Sequence, residues 1–294
     1  MIWTGYNHPM TKRLRADLTL LLVAVIWGTA FAVQRVAAQV GSIFLFNGLR
    51  FLVGALVLLP FTGLRWKFSR HDWGLVLFAG VLLFAGAGLQ QLGMQSTTAG
   101  NAGFITGVYV VLVPIVLFVG WRERPHWLAW VAALLALIGA FLLSTGGDFA
   151  LRPGDALELV GAFFWSLHVV IIGKFAPRVD PIRFSAAQFI IGGILNLVAG
   201  LLFENISSTL QPAIFGGMLY TGIFSVGVGY TLQVVGQRQT PPTDAALILS
   251  LEGVMGAFFG WWWLHEALTP VQLLGCGLIF AAILLAQVKE FQHR

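Results

Sequence analysis

Ten apolar runs separated by short polar connections make up nearly the whole chain: residues 18–38, 43–62, 73–94, 99–120, 127–145, 155–175, 184–203, 213–235, 243–263 and 269–288. At about 1.5 Å per helical residue, a run of roughly 20 residues crosses the ~30 Å hydrocarbon core of a bilayer. The pattern predicts an all-α membrane protein with ten transmembrane helices, numbered here as spans 1–10. No connection is long enough to hold a soluble domain. Span 9, from Thr243 to Trp263, carries a single carboxylate, Glu252, close to its middle. An ionisable group at that depth costs on the order of 2.5–3.5 kcal/mol, so it is expected to face a partner or a watery cavity.

The polar positions also repeat. Gln91-Leu92-Gly93-Met94-Gln95 ends span 3 and Gln233-Val234-Val235-Gly236-Gln237 ends span 8, each followed closely by a threonine, Thr98 or Thr240. A shift of 142 carries Gln91 onto Gln233, 138 carries Trp27 onto Trp165, and 139 carries Pro114 onto Gly253. Each half then holds five spans. Because five is odd, the second half enters from the opposite face, giving inverted repeats of the kind common in secondary transporters. The implied divisions are a tail over 1–17, a first repeat over 18–145, an outer loop over 146–154, a second repeat over 155–288 and a tail over 289–294.

Composition agrees with the patterning, since the chain is 58% hydrophobic and 10% charged with a mean hydropathy of +0.85, whereas soluble domains are about a quarter charged. The net charge of +5 would suggest a nucleic-acid partner in a soluble chain, but here the basic residues report orientation. Lys12, Arg13, Arg15, Arg65, Lys67, Arg70, Arg122, Arg124, Lys174, Arg178, Arg183, Arg238, Lys289 and Arg294, 14 of the 17, fall on the side of the termini. Arg152 alone lies opposite, and Arg35 and Arg50 fall within spans 1 and 2. Both termini are therefore expected to be cytoplasmic. Span 1 follows a basic start like that of a signal peptide but is longer than a signal's apolar region, so it is read as retained. One cysteine, Cys276, excludes an internal disulfide or a cysteine metal cluster, and neither a metal nor a cofactor is expected.

Polar and aromatic groups inside the spans carry the candidate chemistry, because lipid offers them no partner. Gln91 with Gln95, and Tyr230 with Gln233 and Gln237, form polar stripes that either line a cavity or bond neighbouring helices. Trp27 and Trp165, mid-span at matching places, combine with Tyr109, Tyr230 and His168 as a possible aromatic box for a flat or apolar substrate, or as plain core. Trp66, Trp73, Trp121, Trp127, Trp130 and Trp261 to Trp263 fall at interfaces, where such rings anchor spans. The small-residue pairs Gly103/Gly107 and Gly256/Gly260 suit close helix packing. Arg35 can snorkel outward, whereas Arg50 is deep enough to need an acceptor, either a substrate anion or Glu158 in span 6. Glu252 could carry a proton, meet a substrate amine or bond a neighbouring helix, with Gly253 weakening the helix beside it. Catalytic signatures such as Gly-x-Ser-x-Gly and His-Glu-x-x-His are absent, and no catalytic residue is assigned.

Ten spans in two inverted halves, Trp27-Gly28, the glutamine-rich ends of spans 3 and 8, Leu251-Glu252-Gly253-Val254 and Glu266 resemble the EamA-type branch of the drug/metabolite transporter superfamily. The resemblance covers residues 18–288. It departs from the family at Gly253, where proline is common after the glutamate, and at His265, where glycine is common. The resemblance implies a basket-like fold, with spans 1–4 and 6–9 around a central cavity and spans 5 and 10 outside. It also implies export of amino acids or related metabolites across the bacterial inner membrane. Within the branch, the mid-span tryptophans and tyrosines look most like the YddG-type aromatic amino-acid exporters. The expected partners are a small-molecule substrate and membrane lipids, with no nucleic acid and with a monomer as an admissible state. Substrate-binding residues on this reading are Trp27, Gln91, Tyr109, Trp165, His168, Tyr230, Gln233 and Glu252, with Arg50 as an anion contact. Cationic drug efflux with Glu252 as counter-ion, and a membrane protein without transport activity, remain as alternatives.

Overall fold

The computed structural model describes residues 9–63, 66, 68–97, 99–147, 150–264 and 267–292. Arg65, Lys67, Thr98, His265, Glu266 and Arg294, used in the sequence reading, lie outside the described residues. Among those described, nine helices are long and apolar enough to cross a bilayer, and a tenth, apolar over Pro270–Ala286, completes the chain. Spans 1, 2 and 3 are α1 (Pro9–Gln39), α2 (Phe44–Thr62) and α3 (Arg70–Gly93). Span 4 is split into α4 (Ala99–Gly107) and α5 (Tyr109–Trp121), and spans 5, 6 and 7 are α6 (Trp127–Thr145), α7 (Pro153–Phe175) and α8 (Pro181–Phe203). A one-turn helix, α9 (Ile206–Thr209), leads to span 8, which comprises α10 (Pro212–Tyr220), a π-helical stretch over Thr221–Tyr230 and α11 (Thr231–Gly236). Span 9 is α12 (Pro242–Leu249) with α13 (Leu251–Leu264), and span 10 is α14 (Pro270–Gln292). Helix α1 starts at Pro9, so the later part of the segment read as a tail is helical.

Local sequence sets many of these boundaries. Proline opens α7, α8, α10, α12 and α14, where its missing N–H costs nothing and its fixed φ suits the first turn. Ser69 and Asp72 form a reciprocal capping box at the start of α3. The Glu204 carboxylate, at the end of α8, accepts from the Phe44 and Leu45 backbone N–H groups at 2.6 and 3.1 Å and so caps α2 from another helix.

The two halves pack as an inverted pair, and the contacts between them obey the repeat. Span 2 packs on span 7 and span 5 on span 10, while spans 3 and 4 meet span 6 as spans 8 and 9 meet span 1. The turn after α3 is reproduced bond for bond after α11: Met94, Gln95, Ser96 and Thr97 donate to Gln90, Leu92, Gly93 and Gly93, and Gln237, Arg238, Gln239 and Thr240 donate to Gln233, Val235, Gly236 and Gly236. The register between these segments is thus 143, matching Gln90 rather than Gln91 to Gln233 and Thr97 rather than Thr98 to Thr240. The breaks in spans 4 and 9, at Val108 and Ser250, are likewise equivalent, at a shift of 142. Span 9 breaks at Ser250, not at the expected Gly253. There the serine hydroxyl donates back to the Leu247 carbonyl at 2.7 Å and competes with the helical ladder.

Polar side chains are buried in the interior while large apolar ones cover the outer faces. Gln91, His168, Glu158 and Asn196 are fully buried, whereas Leu56, Val119, Leu202 and Phe203 lie on the outer faces. This is the arrangement lipid demands, because polar groups must find partners inside the protein. Backbones approach most closely at glycine. A Cβ on Gly275 of α14 would sit 2.5 Å from the Gly139 carbonyl oxygen and 2.5 Å from the Leu143 nitrogen of α6. Gly275→Val is accordingly expected to lower stability by about 1–3 kcal/mol through overpacking, read as a lower thermal unfolding midpoint in detergent micelles. An unchanged midpoint would mean that α6 and α14 are not held at this spacing.

Candidate functional site

Seven spans contribute to a central cavity, lined by Trp27, Ala30, Phe31 and Gln34 from span 1, Arg50 from span 2, Gln90 from span 3, and Thr106 and Tyr109 from span 4. Trp165, His168 and Val169 from span 6, Ser225, Tyr230 and Gln233 from span 8, and Leu249 and Glu252 from span 9 close it. Its empty volume, opening included, is about 530 Å³.

Tyr230 is the centre of the aromatic wall. Its ring centroid lies 4.7 Å from Trp27, 6.0 Å from Trp165 in a stacked geometry, and 5.9 Å from His168 edge-on. The expected box of Trp27, Trp165, His168 and Tyr230 thus forms, with Tyr109 on the same cavity wall as Glu252. Local chemistry holds these groups in place. The Trp27 indole N–H donates to the Ser225 carbonyl at 3.1 Å, an acceptor within the π-helical stretch of span 8. Such wide turns recur at functional sites. The sequence signal for it is the glycine-rich Thr221-to-Tyr230 segment; its equivalent in α3 is regular helix. Trp165 keeps its indole N–H without an acceptor.

The polar groups sort differently from the expectation. Gln91 does not reach the cavity: its amide donates to the Gln34 backbone carbonyl at 2.7 Å and ties span 3 to span 1. Its neighbour Gln90 lines the cavity instead, as the register of 143 requires, and donates to the Thr106 hydroxyl at 2.9 Å. Gln233 lines the cavity, is braced by donating to Gln237 at 3.0 Å, and has a carbonyl oxygen without a donor. Gln237 in turn donates to the Val169 carbonyl, so that stripe serves both lining and packing. His168 Nε2 lies 3.0 Å from the Gln188 side-chain oxygen. Arg35 does not snorkel but donates to the Met94 and Thr97 carbonyls, capping the turn after α3.

Arg50 is 2% exposed, with its guanidinium 5.7 Å from the Phe46 ring and 5.3 Å from the Phe51 ring. Among the described residues it has neither a hydrogen-bond acceptor nor a carboxylate in ion-pair range, so the pairing with Glu158 considered from the sequence does not form. The repeat explains why. A shift of 138 places Arg50 on Gln188 and Ala30 on His168. In the second half the Gln188 side-chain oxygen meets His168 Nε2, whereas in the first the residue equivalent to His168 is Ala30, whose methyl offers no polar atom. A cation is thereby left facing the cavity. Glu252 is 9% exposed and lines the same cavity.

Comparison with known proteins matches the model of the EamA-like transporter family twice, over residues 14–145 and 152–287. A protein named as an uncharacterized transporter of Archaeoglobus fulgidus is 36% identical over 282 residues, covering 95% of this chain and 87% of that protein. The threonine/homoserine exporter RhtA of Escherichia coli strain K12 is 29% identical over 291 residues, 95% of this chain and 92% of that one. A solved crystal structure shares the fold at a TM-score of 0.79 and 19% identity, covering 95% of this chain and 99% of the other. Two family matches, one on each half of a ten-helix membrane fold, settle the assignment: this chain belongs to the EamA-like transporter family and is a multi-pass membrane transporter of small molecules, not an enzyme.

Proposed function

We propose that this transporter exports amino acids, aromatic or other apolar ones favoured, across the bacterial inner membrane by alternating access around the central cavity, with both termini cytoplasmic. The observation that carries this reading is the unpaired Arg50 in the same cavity as Glu252. A buried guanidinium without an acceptor is costly, and an α-carboxylate satisfies it by a bidentate pair. Glu252 then meets the α-ammonium group. A zwitterion presents both charges a short distance apart, so each pays the desolvation of the other. Trp27, Trp165 and Tyr230 offer flat apolar faces to the substrate side chain. Gln90 and Gln233 supply amides for the remaining hydrogen bonds. The named activity of the relative RhtA, export of threonine and homoserine, is of the same substrate class.

Cationic drug efflux is supported by Glu252 among aromatic rings, but Arg50 would repel the same cation. The substrate readings separate on single substitutions. Arg50→Leu is expected to raise the apparent KM for amino acids by about one to two powers of ten, the factor that corresponds to ~1.5–3 kcal/mol for a charge-assisted hydrogen bond, while sparing amines that lack a carboxylate. Glu252→Gln should do the reverse, weakening amino acids and leaving deaminated acids unaffected. Both are read by proteoliposome counterflow with a panel of labelled amino acids, amines and acids. Flux of amines alone would favour drug efflux, and no flux of any amino acid overturns the proposal.

Side-chain selectivity provides a further test. Trp165→Ala, which removes one stacked face beside Tyr230, should lower counterflow of aromatic amino acids relative to threonine by about fivefold, near the value of one aromatic pair at ~1 kcal/mol. Equal loss for both would show that the ring shapes the cavity without contacting the substrate side chain.

A further inference from the structure

The two repeats close on each other at two equivalent places, one on each side of the protein. On the side of the termini, the Thr240 hydroxyl at the end of span 8 donates to Asp17 at the start of span 1 at 2.8 Å. On the opposite side, the Thr97 hydroxyl at the end of span 3 donates to Asp155 at the start of span 6. Asp155 is Asp17 carried forward by 138 residues, and Thr240 is Thr97 carried forward by 143. One helix turn deeper, the equivalence of packing continues. A Cβ on Gly236 would meet Leu20 at 2.7 Å and the Ala16 carbonyl at 3.1 Å; a Cβ on Gly93 would meet Glu158 at 2.8 Å and the Gly154 carbonyl at 2.9 Å. Glu158 therefore occupies, in the second half, the notch that Leu20 fills in the first.

Packing alone asks for a leucine at this position, as its twin shows. The carboxyl group there is fully buried, one of its oxygens has no partner, and the other accepts from the Thr106 hydroxyl at 3.2 Å. No cation answers it among the described residues. Its own helix brings Asp155, a second acid, one turn away; α3 brings Gly93 and, through Thr106, Gln90, and α4 brings Thr106 and, through Asp155, Asn101. Asp244, on α12, is engaged with Arg13 at the other end of the protein, and Arg35 is spent on the Met94 and Thr97 carbonyls. A negative charge in such a place is far costlier than a neutral acid.

We propose that Glu158 is a proton-binding site that couples movement of the substrate to movement of a proton, an inference that rests on the transporter reading. When the Thr97–Asp155 contact parts, Glu158 takes a proton from water on that side. After closure the Thr106 hydroxyl turns from donating to Glu158 to donating to water in the cavity, which Thr106 also lines, and its oxygen takes the Glu158 proton as its own hydrogen leaves to that water. One O–H bond forms as another breaks, and the carboxylate left behind is neutralised again in the next cycle. Glu252 keeps the substrate amine and is not the proton carrier.

The test combines a spectroscopic and a transport readout. Infrared difference spectra of the purified protein in lipid nanodiscs, between acid and alkaline pH, should show a protonated-carboxyl band that Glu158→Gln removes and Glu252→Gln leaves. In proteoliposomes, a pH gradient should drive amino-acid accumulation in the parent protein and fail to do so in Glu158→Gln. Glu158→Leu, which restores the residue of the equivalent notch, should fold and behave as Glu158→Gln does. Gradient-driven accumulation that survives Glu158→Gln, or a carboxyl band unaffected by it, overturns the proposal. If no amino acid is transported at all, the substrate reading fails, and the Glu158-dependent band still decides the proton site.

Discussion

A polar group within a bilayer has no water to fall back on, and the whole architecture depends on that constraint. Every buried amide, hydroxyl or charge in the ten helices must be met by another part of the chain or by something the chain transports. Most are met in pairs that also fix one helix against another. Gln91 holds span 3 to span 1, Gln237 holds span 8 to span 6, Glu204 caps span 2 from span 7, and Asn47 donates to the Ala87 carbonyl of span 3 at 2.9 Å. These bonds have little competition from solvent, so they set helix register while apolar contact supplies the area.

The inverted repeat makes this accounting unusually legible. Where both halves keep the same chemistry, as in the turns after α3 and α11 or in the Thr97–Asp155 and Thr240–Asp17 contacts, the shared feature is structural. Where they diverge, something other than packing is being served. Arg50 Nε has no acceptor, although the counterpart of Arg50, Gln188, has His168. Glu158 fills a notch that Leu20 fills on the other side, and span 8 opens into a π-helical stretch where span 3 stays regular. All three departures lie at the cavity or one residue away from its lining.

The two halves meet at one threonine–aspartate contact on each side of the protein, and the two contacts are built alike. The Asp17 contact carries additional support, since Arg13 bonds both Asp17 at 2.8 Å and Asp244 at 3.0 Å. The Asp155 contact has instead Asn101, at 3.3 Å. The reinforcement is thus charged on one side and neutral on the other.

Much of this protein is determined by the sequence itself, because the bilayer imposes one length and one polarity rule on every span. Ten runs of similar length, the odd number in each half and the placement of basic residues are local, additive properties, and they lead to the inverted ten-helix fold without any knowledge of contacts. The aromatic group of Trp27, Trp165, His168 and Tyr230 was legible in part: Trp27 and Trp165 lie mid-span at equivalent places of the repeat, but the sequence left open whether the group was a box or plain core. Tertiary structure alone decided between adjacent residues. Gln90 and Gln91 differ by about 100° of helix rotation, enough to send one into the cavity and the other against span 1, and no periodicity chooses between them. Whether Arg50 would be paired depended on a methyl group in span 1 and a histidine in span 6, far apart in sequence. The weak point of span 9 fell at Ser250 rather than Gly253 because a serine hydroxyl reached a carbonyl. Sequence fixes what a span must be; only packing across the repeat fixes which face of it meets the substrate.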